Sequence, residues 1–239
     1  MRTWKGRRQD TRVVHRSTRS GRFLTEVRLK SGGVMPMRVA EGDQQTCANW
    51  HRDVQLAHVK GQEARLDKDW EWPLIFWWSS LLEATSGRRT ALMKFVASGD
   101  QGQEVFLGLM LLADGYKYFP KPRKRAMFVW YLAGAPENYL AQHGVPTPLI
   151  LSAMIDSAIQ FSYLRGYEGR ICLHADRHGS VKQKAALMQK YANVGLQNLP
   201  ATWYKPLLTP ARRNDGRYFY TDERKAIALT AALALKRTP

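Results

Sequence analysis

Between Arg88 and Leu199 the chain runs strand, strand, strand, helix, strand, helix, an order that few folds accept. TALMKFVAS (90–98), EVFLGLMLLA (104–113) and AMFVWYLAGA (126–135) are short, mostly apolar runs bounded by turn signals, and read as strands. Gly99-Asp100-Gln101-Gly102 joins the first two as a tight hairpin, and the longer DGYKYFPKPRKR joins the second pair. The third strand is apolar on both faces, as expected of a strand covered on both sides. Thr147-Pro148 then opens a helix, a side-chain cap followed by Pro at the first helical position, and Gly166 ends it after Arg165. RICLHAD (170–176) is the next strand, and residues 181–194 form another helix closed by Gly195. A helix between two strands makes a crossover, which sets those strands parallel and places a binding site at their ends.

The flanking segments extend this unit. FLTEVRL alternates, so Phe23, Thr25, Val27 and Leu29 share one strand face; SGG at 31–33 turns the chain and VMPMRVA continues as a hairpin. A helix is expected over about 41–60, with Trp50, Val54 and Leu56–His58 inward. A second is expected over 69–85, with Asp69 as cap, Pro73 in the first turn and Gly87 as stop. LQNL and RYFYT (217–221) read as late strands. DERKAIALTAALALKR reads as a C-terminal helix with acids at its start and Lys236 and Arg237 at its end. The four tryptophans Trp70, Trp72, Trp77 and Trp78 on or beside the second helix suit the core, or the wall of an apolar or aromatic acceptor site. With 239 residues, 44% of them hydrophobic, the chain is expected to form a basic arm over 1–21 and one domain over 22–239.

The formal charge is +17, from 37 Lys and Arg against 20 Asp and Glu. That excess points to polyanions: nucleic acid, an anionic surface or phosphorylated ligands. The arm, with Arg7 and Arg8 among its cations, suits a phosphate backbone, although an Arg-rich, acid-poor start also mimics a transit or secretion signal. The loop at 116–125 mixes Lys117, Lys121, Arg123, Lys124 and Arg125 with Tyr116, Tyr118 and Phe119. It reads as a nucleic-acid finger whose rings stack on bases, or as a solvated basic loop anchored by its aromatics. Cys47 and Cys172 have no metal-ligand spacing, and reduced buried thiols of a cytoplasmic protein are expected. No apolar run approaches the ~20 residues of a membrane span.

Among polar residues, His174 and Asp176 lie two apart on one strand, and so project to one face at a crossover end. A carboxylate beside an imidazole orients it and raises its basicity, which suits a general base; the pair also suits a plain polar strand end. With His178 these residues suggest metal ligands, but no fourth partner follows and no metal is expected. Ser152, Asp156 and Gln160 recur every four residues as a polar stripe on the crossover helix, either lining a site or facing solvent.

This order of elements over about 22–221, with Tyr191-Ala-Asn-Val-Gly195-Leu196 on the helix after the fifth strand, resembles the GNAT acyltransferase superfamily. The resemblance implies an α/β (α+β) fold: a mixed, mainly antiparallel sheet with helices on both faces, whose strands 126–135 and 170–176 splay apart to hold acyl-CoA. It implies Tyr191 as proton donor to the departing CoA thiolate, beside His174 and Asp176. It also implies that Trp130, Leu132 and Gly134, with Gly144 and Thr147 at the next helix start, bind the cofactor. Tyr191 equally suits packing against the sheet. The family's pyrophosphate turn, Q/R-x-x-G-x-G/A, is absent; GAPENYLAQHGVPTP stands in its place, and Pro146 and Pro148 remove two donors from it. The resemblance thus implies transfer of an acyl group from acyl-CoA to an amine, on a nucleic-acid-linked (DNA or tRNA) or protein acceptor. The alternative is a non-catalytic DNA- or RNA-binding protein on the same scaffold.

Overall fold

The computed structural model describes residues 23–176, 178–201 and 215–233; the arm, with Arg7 and Arg8, lies outside them. Strands β4 (Thr90–Ser98), β5 (Glu104–Lys117) and β6 (Arg125–Gly134) are antiparallel neighbours at the centre of a seven-stranded sheet. β5 is buried without interruption from Val105 to Ala113, so both its faces are covered. Each large apolar side chain buried there contributes about 1.5–3 kcal/mol.

β3 (Arg38–Glu41) pairs antiparallel with β4 at one edge. On the other side of β6 come β7 (Ile171–His174), β9 (Tyr218–Thr221) and β8 (Gln197–Leu199), in that spatial order. Among the described strands only β6 and β7 run parallel, because helix α4 (Ile150–Leu164) is the crossover between them. Helix α5 (Val181–Asn193) opens on a capping box in which Ser180 and Gln183 bond reciprocally. Helix α6 (Glu223–Ala231) is capped by Asp222.

The hairpin expected around the turn at 31–33 forms, but it is shorter than expected and stands apart from the main sheet. Only Glu26–Arg28 (β1) is strand, and it pairs with Val34–Pro36 (β2) in a separate two-stranded ribbon. Leu24 and Val27 are the buried residues, rather than the alternating set 23, 25, 27 and 29. The expected second half of the hairpin splits at Met37, whose N–H turns back to the Thr25 carbonyl, and its remainder becomes β3. The sheet's first strand therefore begins at Arg38, not Phe23.

Helix α1 (Gln44–Trp50) continues as a π-helix over His51–Val59. Its inward residues are Trp50, Val54, Gln55 and Val59, spaced by four or five as the wider π turn requires, and Leu56 points outward. Helix α2 (Trp72–Ser86) starts after Glu71 without a side-chain cap, carries Pro73 in its first turn and ends on Gly87 at φ 66°. A short helix, α3 (Glu137–Gln142), was not anticipated.

The turn from α4 into β7 holds Gly169 at φ 77°, where an added Cβ would lie 2.5 Å from Cβ of Ala226 and 2.8 Å from the Tyr163 ring. Gly169→Ala is expected to cost about 2–4 kcal/mol, from left-handed strain and overpacking together. The measurement is the urea midpoint at unchanged m-value.

Candidate active site

β6 and β7 pair only at Met127–Ile171, Phe128–Cys172 and Val129–Leu173, yet β6 continues to Gly134. The divergence has a local cause. Leu111 of β5 faces Tyr131 and Leu112 faces Val129, so Trp130 is an extra residue on β6, a bulge at the point where the parallel ladder stops. A bulge bends its strand and increases the local twist. Beyond it, the Ala135 N–H donates to the Leu107 carbonyl, so the ladder's alternation aims the backbone groups of Leu132 and Gly134 away from β5 and into the opening.

The opening is a cleft of about 2440 Å³, lined by Trp130, Leu132 and Gly134 on one side and by His174, Asp176 and Tyr191 on the other. A seven-stranded, mainly antiparallel sheet with one parallel pair splayed behind a crossover helix settles the architecture. The fold is GNAT-like.

No protein-family model matches the sequence, and no curated protein sequence matches it. Solved structures do resemble it at low identity. One is spermidine N-acetyltransferase from Vibrio cholerae in complex with CoA and spermine, at 12% identity and TM-score 0.44, over 80% of this chain and 98% of that one. Mycobacterium smegmatis RimJ in complex with CoA-disulfide is 18% identical at TM-score 0.44, over 87% and 93%. A KacTA–DNA complex is 11% identical at TM-score 0.43, over 82% and 99%.

Within this GNAT-like cleft Tyr191 is 7% exposed, its ring edge-on to Phe219 at 5.4 Å between centroids. Its hydroxyl has no hydrogen-bond partner among the described residues. Burial raises its pKa well above the ordinary phenol value, and the negative charges of Asp176 and Asp67 add to that, so the group is neutral at physiological pH.

His174 and Asp176 both line the cleft, but they do not pair with each other. Asp176 lies past the end of β7; its Oδ1 accepts from the backbone N–H of His178 and lies against His178 Nδ1, both at 2.8 Å. His174 Nε2 instead lies 3.3 Å from Oδ1 of Asp215, and its ring packs on Tyr218 at 4.4 Å. Partial burial pushes the Asp215 carboxyl up, but hydrogen bonds from Arg217 and the charge of His174 outweigh it and leave it at about 2. The expected His174–Asp176 dyad is therefore replaced by His174–Asp215, which the sequence separates by 41 positions.

The segment between the π-helix and α2 crosses to the cleft. Arg65 Nη2 donates to the Gly134 carbonyl at 2.8 Å and pairs with Asp67 at 2.6 Å. Gln183 of α5 ties the same segment down through the Glu63 carbonyl at 2.8 Å, and Gln55 through the Asp67 carbonyl. Arg65, Asp67 and Asp215 were not anticipated as site residues. Arg65-Leu66-Asp67 is an ordinary charged pair in the sequence, and nothing in its spacing links it to a strand 69 positions away.

Two expected cofactor residues stand differently. Gly144 is not on the cleft. Its amide donates to the Ala141 carbonyl at 3.1 Å to close α3, and a Cβ there would collide with the Asp100 carboxylate. Thr147 lines the cleft but does not cap α4, which starts at Ile150 after Leu149. The Thr147 carbonyl instead accepts from Lys30 N–H at 3.0 Å, because Leu29 bridges to Pro148. The first turn of α4 has no side-chain cap, and Ile150, Leu151 and Ser152 of that turn line the cleft.

The 116–125 segment is not a free finger. Tyr118 and Phe119 are buried in a small second core with Phe128, Cys172 and Tyr218, and Tyr116 stacks on Phe128 at 4.6 Å. Lys124 pairs with Glu223 at 2.7 Å and Arg125 donates to the Gly115 carbonyl at 3.1 Å. Lys117, Lys121 and Arg123 have no ion pair among the described residues. Burial lifts both cysteine thiols to about 12, so neither is a nucleophile at neutral pH.

Proposed function

We propose that the protein is an N-acyltransferase that moves an acyl group from acyl-CoA to an amine. The observation that carries this reading is the wedge between β6 and β7, with outward-facing backbone groups of β6 on one side and on the other the Tyr191 hydroxyl, which has no hydrogen-bond partner among the described residues.

The residues present fit the donor. The N–H and C=O of Leu132 are disposed to pair with a pantetheine amide as a strand would. The uncapped amides of Ile150–Ser152 supply positive dipole ends for a pyrophosphate in place of the missing turn motif. The Gly134 carbonyl is held by Arg65.

An amine entering on the Asp176 and Asp67 side loses its proton to Asp176 or His174, directly or through one water. Its nitrogen lone pair attacks the thioester carbonyl carbon, and the zwitterionic tetrahedral adduct gives up a second N–H proton to solvent and collapses with cleavage of the C–S bond. The thiolate takes the phenolic proton of Tyr191, which is later replaced from solvent. Titration calorimetry with acetyl-CoA tests the reading; absence of heat at millimolar ester would overturn it.

The charge of +17 favours a second, compatible reading in which the acceptor, or the sole ligand, is nucleic acid. Lys117, Lys121 and Arg123 are the cations of the basic segment available to it. Changing all three to Gln is expected to lower the slope of log affinity against log salt for duplex DNA by about 2.7, at about 0.9 per phosphate contact. An unchanged slope in filter binding removes this segment from the interface.

A further inference from the structure

One face of α2 is apolar and is left exposed among the described residues. Leu74, Trp77, Trp78 and Leu81 recur at helical spacing, with Trp77 54% and Trp78 53% exposed. No charged residue occurs from Trp72 to Leu82. Part of this face belongs to the same cleft as Tyr191: Leu74, Ile75, Trp78, Leu81, Leu82 and Thr85 line it, and Trp77 does not. From Leu74 to Thr85 this track is about 16 Å long at the helical rise.

We infer that the apolar track of α2 binds the hydrocarbon chain of a medium- or long-chain acyl thioester. This inference rests on the acyltransferase reading of the cleft and names its donor. Two compartments of opposite chemistry meet there. Asp69 and Glu71, beside Asp67 paired with Arg65 and Asp176 bonded to His178, give the acidic end, which suits the ammonium form of the acceptor. The track carries no charge, and its only polar groups are the Trp78 indole N–H and the Thr85 hydroxyl, so it offers little to a nucleic-acid or polar peptide acceptor and suits the acyl group. A second copy of the chain is a poorer occupant, because +17 on each partner opposes their approach and this face holds no acid to offset it. Uncovered aliphatic and indole surface gains affinity for a ligand in proportion to the apolar area it removes from water.

The test is titration calorimetry of the full chain with acetyl-, octanoyl- and dodecanoyl-CoA, below the micellar concentration of the last, on the wild type, Trp78→Gln and Trp77→Gln. The expected result is dodecanoyl-CoA binding at least about 100-fold tighter than acetyl-CoA, a partial return for up to ten further buried methylenes. Trp78→Gln loses most of that gain and Trp77→Gln keeps it. Equal affinity for the three esters overturns the inference and leaves the acyltransferase reading standing; binding of none overturns both. Equal loss in the two variants, or a sedimentation dimer that both variants dissociate, places another occupant on this face and also overturns the inference.

Discussion

Tyr191→Phe is expected to lower kcat by about 100-fold or more, with KM for the thioester changed by no more than a few-fold. The hydroxyl has no partner among the described residues, so its removal breaks no hydrogen bond with them, and the ring keeps its contact with Phe219. Stability should therefore hold while the leaving thiolate loses its proton source. The pH dependence separates this role from a general base. Burial, with Asp176 and Asp67, raises the Tyr191 pKa above the usual ~10, so the phenol stays protonated across pH 6–9. The deficit of the Phe variant should be constant over that range. A deficit that appeared only toward alkaline pH would assign Tyr191 to proton abstraction, and the absence of any deficit would remove it from the chemistry.

Glu168→Gln combined with Glu223→Gln is expected to destabilise the fold by about 2–3 kcal/mol. Arg170 sits at the closed end of the wedge, its side chain only 8% exposed, and pairs with both carboxylates while donating through Nε to the Arg125 carbonyl at 3.0 Å. Its own carbonyl accepts from Met127 N–H at 3.1 Å, where the β6–β7 ladder begins. Replacing both acids by neutral amides leaves a buried guanidinium with hydrogen-bond acceptors but no counter-charge. Arg170→Met should cost less, because the two carboxylates, 59% and 44% exposed, return to water. Urea unfolding of the three proteins checks the order, and a Met variant weaker than the double Gln variant would refute the argument.

Acid pH supplies an independent check on the same network. Hydrogen bonds from Lys124, helped by its charge, and from Arg170 hold the Glu223 carboxyl down at about 2. A carboxyl lowered in the folded state stabilises above its unfolded value, near 4.3, and that contribution disappears as pH falls toward 2. The wild type should therefore lose its advantage over the double variant between about pH 4 and 2.

The sequence by itself determined the strands β4 to β7, the crossover and the helices flanking it. Their signals are local: an apolar run, a glycine hairpin, a glycine stop. Those residues bury the same faces wherever the chain goes. It also placed Trp130, Leu132, Gly134, His174, Asp176 and Tyr191 on the elements that border one cleft, because a crossover between parallel strands admits little other geometry. Tertiary structure alone decided which of these groups touch. The bulge at Trp130 depends on the register with β5, the His174 partner comes from residue 215, and Arg65 reaches Gly134 from another segment. The first sheet strand and the basic loop were misread for the same reason. Alternation and charge are local patterns, whereas edge pairing of Arg38–Glu41 and burial of Tyr118 and Phe119 are set by surfaces that form only when distant segments meet.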